Sequence, residues 1–211
     1  MHIYNVFQPG LRRGAERLPF DPTKAYAYVE HPTEGWRVYL RSAVFLHQTD
    51  ISDMSRFLVF RNAKKGSGAG SWEPPKGQME GKDLLRHQDT PLLPLLLNSL
   101  KREIEEEAHI TELVDIQYTR LVFQSAEKNY PPDQQWFFQY HLFQGFVSPT
   151  VVLDTFHTFQ WMQEHPKAVE RWRRDRKETD RVAWFHPKRT PLNQRWCPTI
   201  VFAYLKNYNS A

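Results

Sequence analysis

The chain has 211 residues, 40% of them hydrophobic, a formal charge of +4 and a single cysteine, Cys197. That length suits one ordinary domain with extensions or one large domain with its own core, and a lone cysteine excludes an internal disulfide framework. No run approaches the roughly 18 apolar residues of a membrane span, and residues 1–13 hold no apolar core before a cleavage site. Neither a span nor a secretory signal is therefore expected, and the default compartment is the cytoplasm or else the nucleus.

Residues 1–40 are aromatic and proline-spaced, carry no assignable pattern, and are set aside as an N-terminal extension. Residues 41–46 and 57–60 read as strands joined by a turn over 48–55. Residues 64–71, rich in Gly, Ser and Lys, read as a flexible loop running into Trp72. Gln88-Asp89-Thr90-Pro91 reads as a further loop. Pro94 suits the first turn of a helix, where a missing N–H costs nothing. From there Leu96, Leu100, Ile104 and Ala108 recur at helical spacing and predict one buried stripe. Residues 117–124 and 135–147 read as strands around a turn at Pro131-Pro132-Asp133. The mixed segment 154–181 is expected to be helical and basic. A short strand over 182–185 and a last helix within 191–208 complete the order, and no internal repeat is evident.

Chemistry is concentrated in two places. Glu103, Glu106 and Glu107, three and four residues apart, share one face of the predicted helix and repel one another unless a cation neutralises them. Hard oxygen ligands of this kind suit Mg²⁺, or Mn²⁺, which shares its coordination with water and substrate phosphates. Arg102 can orient a carboxylate through its planar fork, whereas Glu105 points away and reads as a solvated face. Upstream, Trp72-Glu73-Pro74-Pro75-Lys76-Gly77-Gln78-Met79-Glu80 suggests a turn at Lys76-Gly77, where backbone approaches a ligand closely and glycine tolerates positive φ.

Together these segments resemble a split Nudix box. Gly77, Arg102, Glu103, Ile104, Glu106, Glu107 and Ile110 fall on the signature, in which Gly is followed after a spacer by Glu and then by Arg-Glu-apolar-x-Glu-Glu-x-Gly-apolar. Two departures stand out. Asp83 occupies the place of the first glutamate, and residues 84–101, 18 in number, follow it where the signature has seven, so the box at 77–110 carries an 11-residue insertion. A loop and short leader over 84–94 would absorb it. His109 replaces the terminal glycine and is read as a helix cap, not a ligand.

The resemblance implies an α/β fold, a Nudix-type α/β/α sandwich with a mixed sheet over residues 41–208. It also implies divalent-metal-dependent hydrolysis of a phosphoanhydride bond. Glu103, Glu106 and Glu107 are then the expected metal ligands and Arg102, Glu106 and Glu107 the expected catalytic residues. Glu106 or Glu107 takes the proton, with Glu127 as a weaker candidate outside the box. Lys76, Gly77 and Glu80 are the expected substrate-binding residues. The wording of residues 72–80 is similar to diadenosine tetraphosphate hydrolases. Lys65-Gly66-Ser67-Gly68 leading into it is similar to viral decapping enzymes that also act on diphosphoinositol phosphates. A polyphosphorylated small molecule, either a dinucleoside polyphosphate or a diphosphoinositol polyphosphate, is the favoured substrate, and capped RNA is the alternative. The basic run Arg171-Trp172-Arg173-Arg174-Asp175-Arg176-Lys177 is either a solvated helix face or a surface that tracks nucleic acid. A degenerate domain that binds a nucleotide or RNA without cleaving it is the competing class. No membrane and no obligate protein partner is expected.

Overall fold

A computed structural model of the protein describes residues 2–19, 21–63, 70–126 and 135–208. The chain is a mixed α/β protein, with helices added to a large, mostly antiparallel sheet. It divides into two compact units, one made of residues 1–43, 76–101 and 120–142, the other of 44–75, 102–119 and 143–211. The Gly-Ser-Lys stretch at 64–69, the Pro131-Pro132-Asp133 turn and Glu127 lie outside the described residues.

In the first unit the N-terminal residues, unassigned from the sequence, supply two strands. Strands β1 (Arg12–Leu18) and β2 (Asp21–Glu30) form an antiparallel pair with Ala15 opposite Ala27. Then β2 pairs with the start of β3 (Arg37–Gln48), setting Tyr28 opposite Tyr39. The connection turns at Gly35, whose φ of 76° is cheap only for glycine. Leu18, Tyr26, Tyr39 and Phe138 form one core cluster of this unit, with the partly buried Tyr28 and Trp136 packed against it. Arg37 lies over these last two rings. Its guanidinium lies 3.9 Å from the Tyr28 ring and 4.4 Å from that of Trp136, and it pairs with Glu16 and Glu30 at 2.6 and 2.8 Å. A short helix, α1 (Gly81–Leu85), lies against β1 and β2, and a Cβ at Gly81 would collide with that of Ala15.

The second unit contains β4 (Leu58–Asn62), β5 (Trp72–Glu73) and the end of β3, with Leu46 opposite Leu58. Strand β9 (Thr179–Trp184) pairs antiparallel with β4. Phe45 stacks on Tyr204 with centroids 3.7 Å apart, and Phe57 stacks on Phe185 at 4.7 Å. The Tyr204 hydroxyl takes a hydrogen bond from Gln144 at 2.9 Å and meets His47 Nε2 at 2.6 Å, so the polar tip of this buried ring is satisfied.

The expected mixed sheet is present. Strands β7 (Asp115–Ala126) and β8 (Trp136–Val147) pair with each other, and β8 also pairs with β3. Arg37 N–H donates to Gln135 at the start of the β3·β8 pair and Thr49 N–H to Val147 at its end, so these two strands run parallel.

Two sequence expectations need correction. Residues 154–181 are not one helix. Helix α3 (Pro149–Glu164) starts five residues earlier, capped by the Ser148 hydroxyl, and stops at His165, whose φ of −124° and ψ of 53° leave helical geometry ahead of Pro166. One further turn, α4 (Pro166–Val169), follows, and residues 175–177 make a single 3₁₀ turn before β9. The basic run is therefore a turn leading into a strand. The insertion, in turn, is not all loop. Asp83 and Leu84 belong to α1, residues 86–91 connect, and α2 (Leu92–Ala108) begins two residues before Pro94. Pro94 still lies in the first turn, whose N–H groups have no helical acceptor. Leu96, Leu100, Ile104 and Ala108 are all fully buried, as the spacing predicts.

Candidate active site

Helix α2 brings Arg102, Glu103, Glu106 and Glu107 onto its last two turns because its apolar stripe, ending in Ile104 and Ala108, fixes which face is buried. The carboxylates flank that stripe and are drawn partly inward with it. Glu107 is 5% exposed, and the side chains of Glu103 and Glu106 are 13% and 24% exposed. Three carboxylates near a helix C-terminus also oppose the helix dipole, which favours cations there. Such a placement costs stability unless positive charge offsets it.

Arg102 supplies some of that charge, its Nη1 lying 3.0 Å from Glu103 and 3.1 Å from Glu106. It does not neutralise the set. Burial, then the neighbouring Glu107, push the Glu103 carboxyl up to about 8 against the pull of Arg102, with Glu106 and Glu178 adding to the rise. Glu178 comes from the residue before β9, a strand tied to the helix by Thr179 Oγ1, which donates to the Glu107 carbonyl at 2.5 Å. The helix ends as expected at His109, whose φ of 57° is the left-handed cap conformation. Its ring packs against Phe159 and Trp172, and burial lowers its pKa to about 4. Glu105, read as purely solvated, forms an ion pair with Arg176.

Lys76, Gly77 and Glu80 belong to the first unit. Strand β6 (Lys76–Gln78) pairs antiparallel with β3, with Gly77 opposite Ser42, so Gly77 is extended and not the left-handed turn expected from the sequence. Met79 completes this edge by accepting from Ala27 N–H at 2.9 Å and donating to Leu40 at 3.0 Å. Glu80 is the N-cap of α1 and pairs with Lys24 at 3.2 Å and Lys82 at 2.8 Å. Asp83, in the position of the signature's first glutamate, accepts from the Glu80 N–H at 3.2 Å, the reciprocal half of a capping box.

Sequence reasoning missed Glu73. It is 3% exposed, and its carboxylate accepts from Asn193 Nδ2 at 3.1 Å and Asn62 Nδ2 at 3.4 Å. A glutamate between Trp72 and two prolines was its only sequence signal. Glu178 had none. Among the described residues, no three His, Cys, Asp or Glu side chains are gathered as a ready cage for an ion. The helix carboxylates are nonetheless an all-oxygen, partly buried, mutually repelling donor set, which suits a hard divalent cation.

No family model and no curated protein matches the chain. Among solved structures it is similar to a Nudix hydrolase from Nitrosomonas europaea, at 15% identity, 82% coverage of this chain, 88% of that one and a TM-score of 0.46. It is also similar to the Nudix domain of Shewanella oneidensis NrtR complexed with ADP ribose, at 10% identity, coverages of 84% and 93% and a TM-score of 0.46. A mutT/nudix family protein from Listeria innocua follows at 14% identity, coverages of 82% and 92% and a TM-score of 0.43.

Proposed function

We propose that this chain is a Nudix-type, divalent-metal-dependent hydrolase that cleaves a phosphoanhydride bond in a polyanionic substrate. The reading is carried by the partly buried trio Glu103, Glu106 and Glu107 beside Arg102 on the end of α2, aligned with the second half of the box. Mg²⁺ or Mn²⁺ held by the trio would neutralise phosphate oxygens and make a bound water more acidic. The chain's own groups do the rest. Arg102 holds Glu103 and Glu106 in place, and a carboxylate oxygen of Glu106 or Glu107 accepts the proton of the attacking water. The water oxygen bonds to one phosphorus as the bridging P–O bond breaks, and the electron pair leaves with the other phosphate. Lys76, Gly77 and Glu80 are proposed as substrate-binding residues on the motif alone, Glu80 through its hold on α1.

The favoured substrate is a compact dinucleoside polyphosphate or diphosphoinositol polyphosphate. Capped RNA is the second reading, favoured by the exposed Arg171, Arg173 and Arg174 ahead of β9. A non-cleaving nucleotide- or RNA-binding module is the third, favoured by the use of Asp83 as a cap. A phosphate-release screen with Mg²⁺ or Mn²⁺ separates them. It would cover dinucleoside polyphosphates, diphosphoinositol phosphates, capped RNA, nucleoside triphosphates and nucleotide sugars. Turnover of a compact polyphosphate, lost in Glu106→Gln and Glu107→Gln, is the expected result. Turnover of none would favour the binding module.

A further inference from the structure

Beyond the carboxylates, the second unit carries an aromatic ladder that core packing does not explain. His165 stacks on Trp161 at 4.7 Å and 16°, and Trp161 stacks on Trp172 at 5.9 Å and 15°. The His109 and Trp172 rings meet at 73° with centroids 5.5 Å apart. Core aromatics hide their rings, yet Trp161 is 40% exposed and Trp172 is only half-buried. Beside the ladder, Trp172, Arg173 and Arg176 line a pocket of about 290 Å³. Arg171, Arg173 and Arg174 are exposed, and among the described residues none of their guanidinium groups has a carboxylate partner.

We propose that this pocket is a subsite for a nucleoside monophosphate moiety, its base stacked on Trp172 and its phosphate held by Arg173 and Arg176. An indole beside the exposed Arg173 and beside Arg176, which also pairs with Glu105, meets both halves of a nucleotide, since every base has a π-face and every phosphate accepts a bidentate fork. Position supports the assignment. The ladder ends on His109, the cap of α2, and Arg176 bonds Glu105 on the same helix. At about 1.5 Å per residue, His109 lies only ~9 Å along the axis from Glu103. The subsite deepens the hydrolase reading by requiring a substrate that carries a base, which selects dinucleoside polyphosphates over inositol phosphates. The pocket volume is near the lower limit of small-molecule sites and suits one nucleotide better than a tracking strand.

The test is calorimetric binding of AMP, adenosine, inorganic phosphate and a short oligoribonucleotide to the full chain in EDTA, with no metal present. AMP is expected to bind, and adenosine and phosphate each to bind at least ~10-fold more weakly. Trp172→Leu and the exposed Arg173→Ala should each weaken AMP by ~10-fold or more, the second also flattening its salt dependence. Arg173→Ala keeps the proposal testable if Trp172→Leu fails to fold. Glu106→Gln should bind AMP as the wild type does, so loss of hydrolysis in that variant speaks only to the catalytic reading. The subsite would be overturned by no AMP binding at millimolar concentration, by phosphate binding as well as AMP, or by unchanged binding in Arg173→Ala. An oligoribonucleotide that outcompetes AMP through Arg171 and Arg174 would overturn the choice of a compact ligand.

Discussion

Glu103 couples the proposed chemistry to stability, and the sign of that coupling is set by its neighbours. Its carboxyl sits near 8 when folded against about 4.5 when unfolded, so between those values the native state binds more protons and stability falls as pH rises. Three histidines act in the opposite sense. Burial lowers His47 and His109 to about 4 and His141 to about 3, so their stabilising contribution is complete above about 6.5 and is lost as pH falls toward those values. The window from about 6.5 to 8 therefore belongs to Glu103. In EDTA the melting temperature should decline across that window, and Glu103→Gln should flatten the decline. A slope unchanged in the variant would remove Glu103 from the account. Mg²⁺ should raise the melting temperature more at pH 8 than at pH 6, because metal competes with the proton for the same oxygens. At the same scale, Glu106→Gln or Glu107→Gln should lower kcat by at least ~10²-fold while folding is retained, the effect of removing one electrostatic catalytic contact. Normal turnover in both folded variants would end the assignment.

Helix α2 is held by its stripe and by the strand that follows the basic turn. Leu100 is fully buried, so Leu100→Ala should cost ~2–5 kcal/mol in denaturant melts, by lost burial and the cavity left behind. Thr179→Val should cost about 1–3 kcal/mol by leaving the Glu107 carbonyl without its hydroxyl donor. Activity should suffer too, because the lost bond links β9 to the turn that bears the carboxylates. The connection at residues 86–91 is a different kind of element, fixed from outside by Arg13, whose Nη1 donates to His87 at 3.1 Å and Gln88 at 2.6 Å. Shortening it should alter the range of substrates hydrolysed while leaving the metal concentration for half-maximal rate nearly unchanged. A large shift in that concentration would show that the connection supports the carboxylates themselves.

For the molecule as a whole, the distribution of charge bears on which polyanion meets the carboxylates. No helix among the described residues is long and apolar enough to cross a membrane. The +4 charge of the chain coexists with an acidic helix face, and five of its basic residues fall within residues 171–177. If a long RNA is the substrate, neutralising Arg171, Arg173, Arg174 and Lys177 should weaken its binding and reduce the salt slope by roughly one unit per lost phosphate contact. If a compact polyphosphate is the substrate, turnover should need Arg173 far more than Arg171 or Arg174. Competition between capped RNA and diadenosine tetraphosphate at equal concentration, with each arginine replaced singly, decides between them.

What the amino-acid sequence determined by itself was local. Helical periodicity places Leu96, Leu100, Ile104 and Ala108 on one face whatever they pack against, and that alone put Glu103, Glu106 and Glu107 together. The His109 cap was equally legible, because a left-handed residue is required where that periodicity stops. Tertiary structure decided the rest. Strands β1 and β2 were hidden because their burial is conferred by Tyr39 and Phe138, which no short window over the first forty residues contains. Strand β9 was legible at residues 182–185, but its start at Thr179 was not, because that residue is paired by Asn62 of β4, more than a hundred positions earlier. Glu73 is a buried carboxylate that takes a hydrogen bond from Asn193, 120 residues away. Side-chain spacing is a property of the local backbone, whereas strand pairing and the burial of a charge depend on groups that only the folded chain brings into contact.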